Sequence, residues 1–191
     1  PRSRGLGDVY KRQPLNDVVW LAKHAAEIRR GHTVGNYRTV PELCVVFDID
    51  GTLANPYHRR YFVDGSLGKR DFDAFYARMD QDQPFVHMRT IHNLFAANSW
   101  NIVYCTGRPE SYREVTRDWL RRKGFMGGGE LLMRPDDQRY RPDHQVKQDM
   151  ICHIEHTLGY EIHLVFDDRT QVVNMWRRNE IPCLQVANGD F

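Results

Sequence analysis

Apolar residues along this chain gather in short runs, separated by longer stretches in which they recur at helical spacing. Five runs are strand-sized, at 43–47, 101–105, 131–133, 162–166 and 181–186, and the stretches between them predict helices over 85–97, 109–123, 144–157 and 170–178. Continuous apolar strands alternating with amphipathic helices predict a parallel sheet covered on both faces, a doubly wound α/β domain. Ahead of this pattern, Val19, Leu21, Ala22, Ala25, Ala26 and Ile28 fall on one helical repeat over 16–30, closed by Gly31. That segment reads as a leading helix or a linker remnant.

In such a sheet ligands bind outside the carboxyl ends of the strands, so the polar residues that follow each run are the ones to weigh. Asp48 and Asp50 follow the first run, Thr106, Gly107 and Arg108 the second, and Asp167 and Asp168 the fourth. The first pair lies in FDIDGTLAN at 47–55. A carboxylate at a strand tip can attack phosphorus and form an acyl-phosphate, which divides one difficult step into two; Asp48 is the candidate. Asp50, on the turn beside it, can protonate a leaving oxygen and later deprotonate a water, and Gly51 lets the chain turn tightly. A calcium-type acidic loop or a plain polar turn is the competing reading, and the apolar strand ahead argues against both.

CTGRPE at 105–110 offers the Thr106 hydroxyl and a free amide at the expected start of a helix, with Pro109 suited to the first helical position. A helix N-terminus favours phosphate. A simple threonine cap looks the same in isolation; Arg108 is what points to an anion, because a planar guanidinium grips phosphate in bidentate fashion. Asp167 and Asp168 repel each other unless a cation lies between them, and with Asp48 they make a cluster able to hold one Mg2+. Their alternative is an N-cap pair ahead of Thr170. Lys147 alone reads as solvated surface. It joins the site because a phosphoryl group beside a carboxylate nucleophile needs a balancing cation.

In order along the chain, DxDGT, a strand ending in threonine, a lysine, and DD after a strand make a four-part signature that resembles the haloacid dehalogenase (HAD) phosphatases. DDRTQVVNMWRRNEIPCLQVANGDF at 167–191 and SYREVTRDWL at 111–120 are similar, more narrowly, to the 3'-phosphatase domains of phage polynucleotide kinases. The resemblance covers residues 41–191 and is weakest over 56–100. It implies a HAD-type Rossmannoid fold, a central parallel sheet with helices on both faces and a small cap or none. It also implies a Mg2+-dependent phosphatase that removes the 3'-phosphate from DNA or RNA ends through an aspartyl-phosphate. Catalytic roles then fall to Asp48, Asp50, Thr106 and Lys147, and substrate contacts to Arg59, Gly107 and Arg108, with Asp143 orienting Lys147. The implied metal site is Asp48, Asp50, Asp167 and Asp168. HRR at 58–60 leaves Arg60 as an alternative to Arg59. An upstream kinase domain, as in a bifunctional polynucleotide kinase/phosphatase, and a bacterial host cytoplasm belong to the same implication. The other readings are a HAD nucleotidase acting on small phosphomonoesters and a non-catalytic module that binds nucleic-acid ends.

The insert at 54–84 is too short for a large lid, and the stretch between Thr106 and Lys147 is used up by a helix and a strand. An open crevice suits the end of a polymer better than a metabolite that needs enclosure.

Composition changes the picture in two places. The 191 residues carry a formal charge of +2 and 41% hydrophobic residues, enough for a core, and no apolar run approaches the roughly 20 residues that cross a bilayer. Residues 3–13, SRGLGDVYKRQ, read as an in-frame translation of a transposase-type sequencing adaptor; recovery of the same gene with this segment from an independent library would overturn that reading. The chain is therefore divided into 1–13 as artefact, 14–40 as N-terminal helix and linker, and 41–191 as the phosphatase domain. Setting 1–13 aside removes Arg2, Arg4, Lys11, Arg12 and Asp8 and leaves 23 basic against 24 acidic residues. The pI near 8.5 is then no argument for nucleic-acid binding.

Arg113, Arg117 and Arg121 recur at i+4 spacing, as a stripe tracking a nucleic-acid backbone or as a solvated face balanced by Glu110, Glu114 and Asp118. Tyr57, Tyr61 and Phe62 are candidates for stacking on a terminal base or for core. GSLGKR at 65–70 is not a phosphate loop, since Val63 stands where its first glycine belongs and no strand precedes it. Cys44, Cys105, Cys152 and Cys183 show no CxxC spacing, and three lie in predicted strands, which fits a reduced, cytoplasmic compartment.

Overall fold

Residues 42–189 are the part of the chain that the computed structural model describes. The predicted helix at 16–30 with Gly31, and the adaptor-like segment, lie outside the described residues. In chain order the elements are β1 (Glu42–Phe47), β2 (Ala54–Asn55), α1 (Phe72–Tyr76), β3 (Gln83–Pro84), α2 (Val86–Ala97), β4 (Asn101–Pro109), α3 (Arg113–Arg122), β5 (Glu130–Arg134), α4 (Asp143–His156), β6 (Tyr160–Asp167), α5 (Thr170–Arg178) and β7 (Cys183–Gln185). Among the described residues no helix is long and apolar enough to cross a membrane.

The main sheet has the order β5-β4-β1-β6-β7, and all its pairings are parallel. β1 lies at the centre, fully buried from Cys44 onward, as its unbroken apolar run requires. The strands wind outward from β1 in one direction through β4 and β5 and in the other through β6 and β7. The crevice of the sheet therefore opens at the carboxyl ends of β1, β4 and β6. This is the α/β arrangement expected from the alternating pattern.

Strand alternation sorts the core into two halves. Val45, Phe47, Ile102, Tyr104, Leu131 and Phe166 face α2 and α3, contacting Met88, Ile91, Phe95, Trp119 and Leu120. Cys44, Val46, Val103, Cys105 and Val165 face α4 and α5, contacting Val146, Met150, Ile154, Val172 and Trp176. A bulge modifies this order in β6. Cys44 pairs with Ile162 but Val45 pairs with Leu164, so His163 is one residue extra. Ile162 belongs to the α4/α5 half and Leu164 to the α2/α3 half. Strict alternation from Ile162 would point Asp167 toward α2 and α3; the extra residue turns it to the face of α4, the face that Asp48 shares with Cys44 and Val46.

Several elements differ from their predicted extents. β4 runs on to Pro109, a 3-10 turn follows at Glu110–Tyr112, and α3 starts only at Arg113. The reason is Pro109, which holds Arg108 extended and itself sits at φ −63°, ψ 149°. Thr106 is thus on a strand rather than at a helix N-terminus. β7 is shorter than 181–186, and Pro182 has no N–H to give the ladder. The insert between β1 and α2 is a small cap: β2 and β3 pair antiparallel at its base, and a 3-10 helix, Tyr57–Phe62, and α1 make up its body.

Candidate active site

Asp48 extends from the tip of β1, its amide bonded to the Phe166 carbonyl at 2.9 Å. Its Oδ1 accepts a hydrogen bond from Lys147 Nζ at 2.6 Å, and the same ammonium donates to Asp167 Oδ2 at 2.8 Å. Lys147 comes from the second turn of α4 and is 1% exposed, so the residue that in isolation reads as solvated surface is wholly internal. Asp143, one turn earlier, stands 3.8 Å from its ammonium. Asp168 follows directly, with the Thr52 hydroxyl 3.5 Å from its Oδ1. Gly51, at φ +98°, lies so close to Asp168 that a Cβ there would be 2.2 Å from Oδ2. Only glycine fits that turn, on both counts.

Three carboxylates and one ammonium leave the cluster short of positive charge. Burial pushes the Asp48 carboxyl well above the usual range, and Asp167 and Asp168 push the same way against Lys147. Burial raises Asp167 too, and burial with the Asp167 charge raises Asp168 to about 7. Burial alone would lower Lys147, but the carboxylates of Asp167, Asp48 and Asp143 outweigh it and hold the ammonium well above its ordinary value. Asp48 Oδ2 is buried without a hydrogen-bond partner. A hard divalent cation with oxygen ligands would meet both deficits, so these residues fit the expected Mg2+. Among the described residues no three His, Cys, Asp or Glu side chains are gathered as a ready metal site, Lys147 lying between Asp48 and Asp167.

Asp50 has different company. Its Oδ1 accepts from Arg59 at 2.6 Å and from Arg108 at 2.7 Å, and its Oδ2 from Arg108 Nε at 2.9 Å. Burial opposes its ionisation, yet the Arg108 and Arg59 charges prevail and hold the carboxyl well below the usual carboxylate range. Both carboxylate oxygens of Asp50 are thereby engaged by guanidinium groups. Arg59 and Arg108 are both fully buried, over the rings of Phe75 (4.0 Å) and Trp119 (5.7 Å). Of the two arginines in HRR, it is Arg59 that reaches Asp50. Thr106 is buried, its Oγ accepting from the Arg108 amide at 3.2 Å. Gly107 passes so near Asp143 that a Cβ would be 2.6 Å from Oδ1.

Two residues of this site had escaped the sequence reading. Asp82, completely buried, accepts from Arg59 Nε at 2.8 Å, from Arg59 again at 2.5 Å, from Arg108 at 3.3 Å and shares a 2.8 Å hydrogen bond with His58. A lone aspartate in QDQP carries no signal of this. Arg134, at the end of β5, donates to the Gly107 carbonyl and to Asp143, each at 3.0 Å. Its place as the last residue of β5, at the carboxyl end of a sheet strand, is the signal that marks it. The Arg113, Arg117 and Arg121 stripe is paired off locally: Arg113 with Glu110 of the preceding 3-10 turn, and within α3 Arg117 with Glu114 at 3.6 Å and Arg121 with Asp118 at 2.6 Å. Tyr61 packs on Phe62, and Tyr57 is 68% exposed.

Comparison with known proteins adds to the geometry. A family model described as the polynucleotide kinase PNKP phosphatase domain matches residues 42–191. A protein named as a bifunctional polynucleotide kinase/RNA ligase, from Autographa californica nuclear polyhedrosis virus, is 30% identical over 149 residues, 77% of this chain and 20% of that protein. A solved Pnkp1/Rnl/Hen1 complex contains a chain 30% identical to this one, with a TM-score of 0.64 over 83% of this chain and 50% of that one. A second structure, of the Pnkp1/Rnl/Hen1 RNA repair complex, matches at 30% identity and a TM-score of 0.62 over 83% and 47%. A class C acid phosphatase from Bacillus anthracis, 12% identical with a TM-score of 0.54 over 92% of this chain and 82% of that one, shares the fold alone. The chain thus spans about a fifth of its curated relative and about half of the chain it matches in the solved complex.

Proposed function

The chain belongs to the polynucleotide kinase phosphatase-domain family of HAD proteins, and from that membership we propose that it removes the 3'-phosphate from DNA or RNA ends through an aspartyl-phosphate on Asp48. The observation that carries the reading is Asp48 itself, at the tip of β1 with one oxygen on Lys147 and the other unpartnered, in a crevice covered by no more than a small insert. A carboxylate oxygen with no competing hydrogen bond is free to attack phosphorus.

Asp48 attacks phosphorus while Thr106 and Lys147 hydrogen-bond to the transferring phosphoryl oxygens. Arg59 and Arg108, engaged with Asp50 in the free protein, turn to the incoming phosphate. That exchange releases the hold that keeps Asp50 ionised, so Asp50 takes up a proton and gives it to the departing 3'-oxygen. Asp50, ionised again, then removes a proton from the water that splits the aspartyl-phosphate, and is ready for the next substrate. Asp48, Asp50, Asp167 and Asp168 would hold Mg2+, which would supply neutralising charge to an anion approaching an anionic nucleophile. Asp143 keeps Lys147 in register, and Gly107 gives that contact room.

The viral relative is named for kinase and ligase activities and the solved neighbours for an RNA repair complex. The proposed setting is accordingly a longer end-healing protein with a kinase domain upstream. The test is Mg2+-dependent phosphate release from a 3'-phosphorylated oligonucleotide, beside a 3'-mononucleotide and a 5'-phosphorylated oligonucleotide. Preference for the first is expected, and equal turnover of the mononucleotide would move the function to nucleotide metabolism.

A further inference from the structure

Loop 135–142, between β5 and α4, is polar, yet it is tied firmly to the site. The buried Arg134 guanidinium donates to the carbonyls of Gln138 (3.0 Å) and Arg141 (2.5 Å), and its other nitrogens reach the Gly107 carbonyl and the Asp143 carboxylate. One cation thereby fixes the loop to two residues of the crevice wall. Arg139 adds an ion pair to Asp73 of α1 at 2.7 Å, which joins the loop to the small cap. Between Arg139 and Arg141, Tyr140 stands 91% exposed, more than any other large hydrophobic side chain among the described residues.

An aromatic ring held in water contributes little to the fold, and the loop that carries it is tied through Arg134 to Gly107 and Asp143 at the site. We infer that Tyr140 is a stacking platform for a base of the strand that bears the 3'-phosphate, an inference that rests on the proposed function. Every base has a π-face, so such a platform binds a strand without reading its sequence. The loop is ordered by Arg134 before the strand arrives, so stacking costs little further entropy. Arg139 and Arg141 are each paired with a carboxylate, Asp73 and Asp149. The contact therefore depends on the ring more than on charge, and salt weakens it little.

The test is a cycle of two proteins and two kinds of substrate. Wild type and Tyr140→Ala are compared on a 3'-phosphorylated oligonucleotide and on versions with an abasic site at the first, second or third nucleotide from the 3' end. At one of these positions removal of the base should lower wild-type kcat/KM roughly tenfold, mostly through KM. Tyr140→Ala should show the lowered value on both substrates, Tyr140→Trp should restore the difference, and the melting temperatures should be equal. An abasic penalty as large in Tyr140→Ala as in wild type, at every position, would overturn the inference and leave the proposed function standing. Wild type that does not prefer the oligonucleotide over a 3'-mononucleotide would sink the proposed function and the inference with it.

Discussion

Asp48 is held between opposing influences. Burial and the neighbouring Asp167 and Asp168 work against its charge, and Lys147 works for it. An asparagine keeps its shape and removes the charge, so Asp48→Asn relieves the crowding while Lys147 retains Asp167 as a partner. We expect the variant to release no phosphate and to melt no lower than wild type, as read by phosphate assay and thermal unfolding. A folded, active asparagine variant would rule Asp48 out as nucleophile. Lys147 shows why a residue can be silent in sequence: a charged side chain on a helix signals solvent, and only its carboxylate partners, 20 and 99 positions away, explain its burial.

At the scale of elements, the bulge in β6 decides which face Asp167 occupies. Deleting His163 would restore regular pairing with β1 and turn Asp167 toward α2 and α3, away from Lys147. Loss of phosphatase activity with retained helix content, measured by assay and circular dichroism, is the expected outcome; an active deletion variant would show that the strand rebuilds the bulge elsewhere. A second element-level feature is His92, which docks α2 on β4. It is fully buried, its Nδ1–H donating to Asn93 Oδ1 (2.9 Å) and its Nε2 accepting from the Tyr104 hydroxyl (2.7 Å). Burial lowers it to about 4, against about 6.5 in an unfolded chain.

The folded state thus refuses a proton that the unfolded state accepts. The stability His92 contributes is complete above pH 6.5 and is lost as pH falls to 4, about 3 kcal/mol over that window. Urea unfolding at several pH values should show this slope in wild type and not in a His92→Phe/Tyr104→Phe double variant, whereas equal slopes would exclude His92 as its source.

For the whole molecule, the small cap and the sheet are joined through one buried network. Asp82, just before β3, binds Arg59 from the cap and Arg108 from β4, and its carbonyl accepts from the Trp119 indole at 2.9 Å. Asp82→Ala leaves two desolvated guanidinium groups sharing Asp50 as their one carboxylate partner, a change that costs about 3–5 kcal/mol. We expect a large fall in urea midpoint together with loss of activity, and Asp82→Asn to recover part of the stability. An alanine variant as stable as wild type would mean that Asp50 satisfies both arginines unaided.

The strands, most of the helices and the positions of Asp48, Asp50, Asp167 and Asp168 by strand ends could be read from the chain, because hydrophobic period and strand-end chemistry are local properties. Even there one local signal misled: Pro109 fits the first turn of a helix and equally the end of a strand, and the pairing of β4 with β5 through Pro109 and Arg134 settled it. The choice of Arg59, the burial of Lys147 and the roles of Asp82 and Arg134 in the network had no such signature. Most of their partners lie 9 to 99 positions away. Whether a charge is buried depends on what packing brings to it, since a desolvated ion persists only where a partner from elsewhere in the chain meets it. The sequence alone determined where chemistry was available; tertiary contact decided which charges face one another.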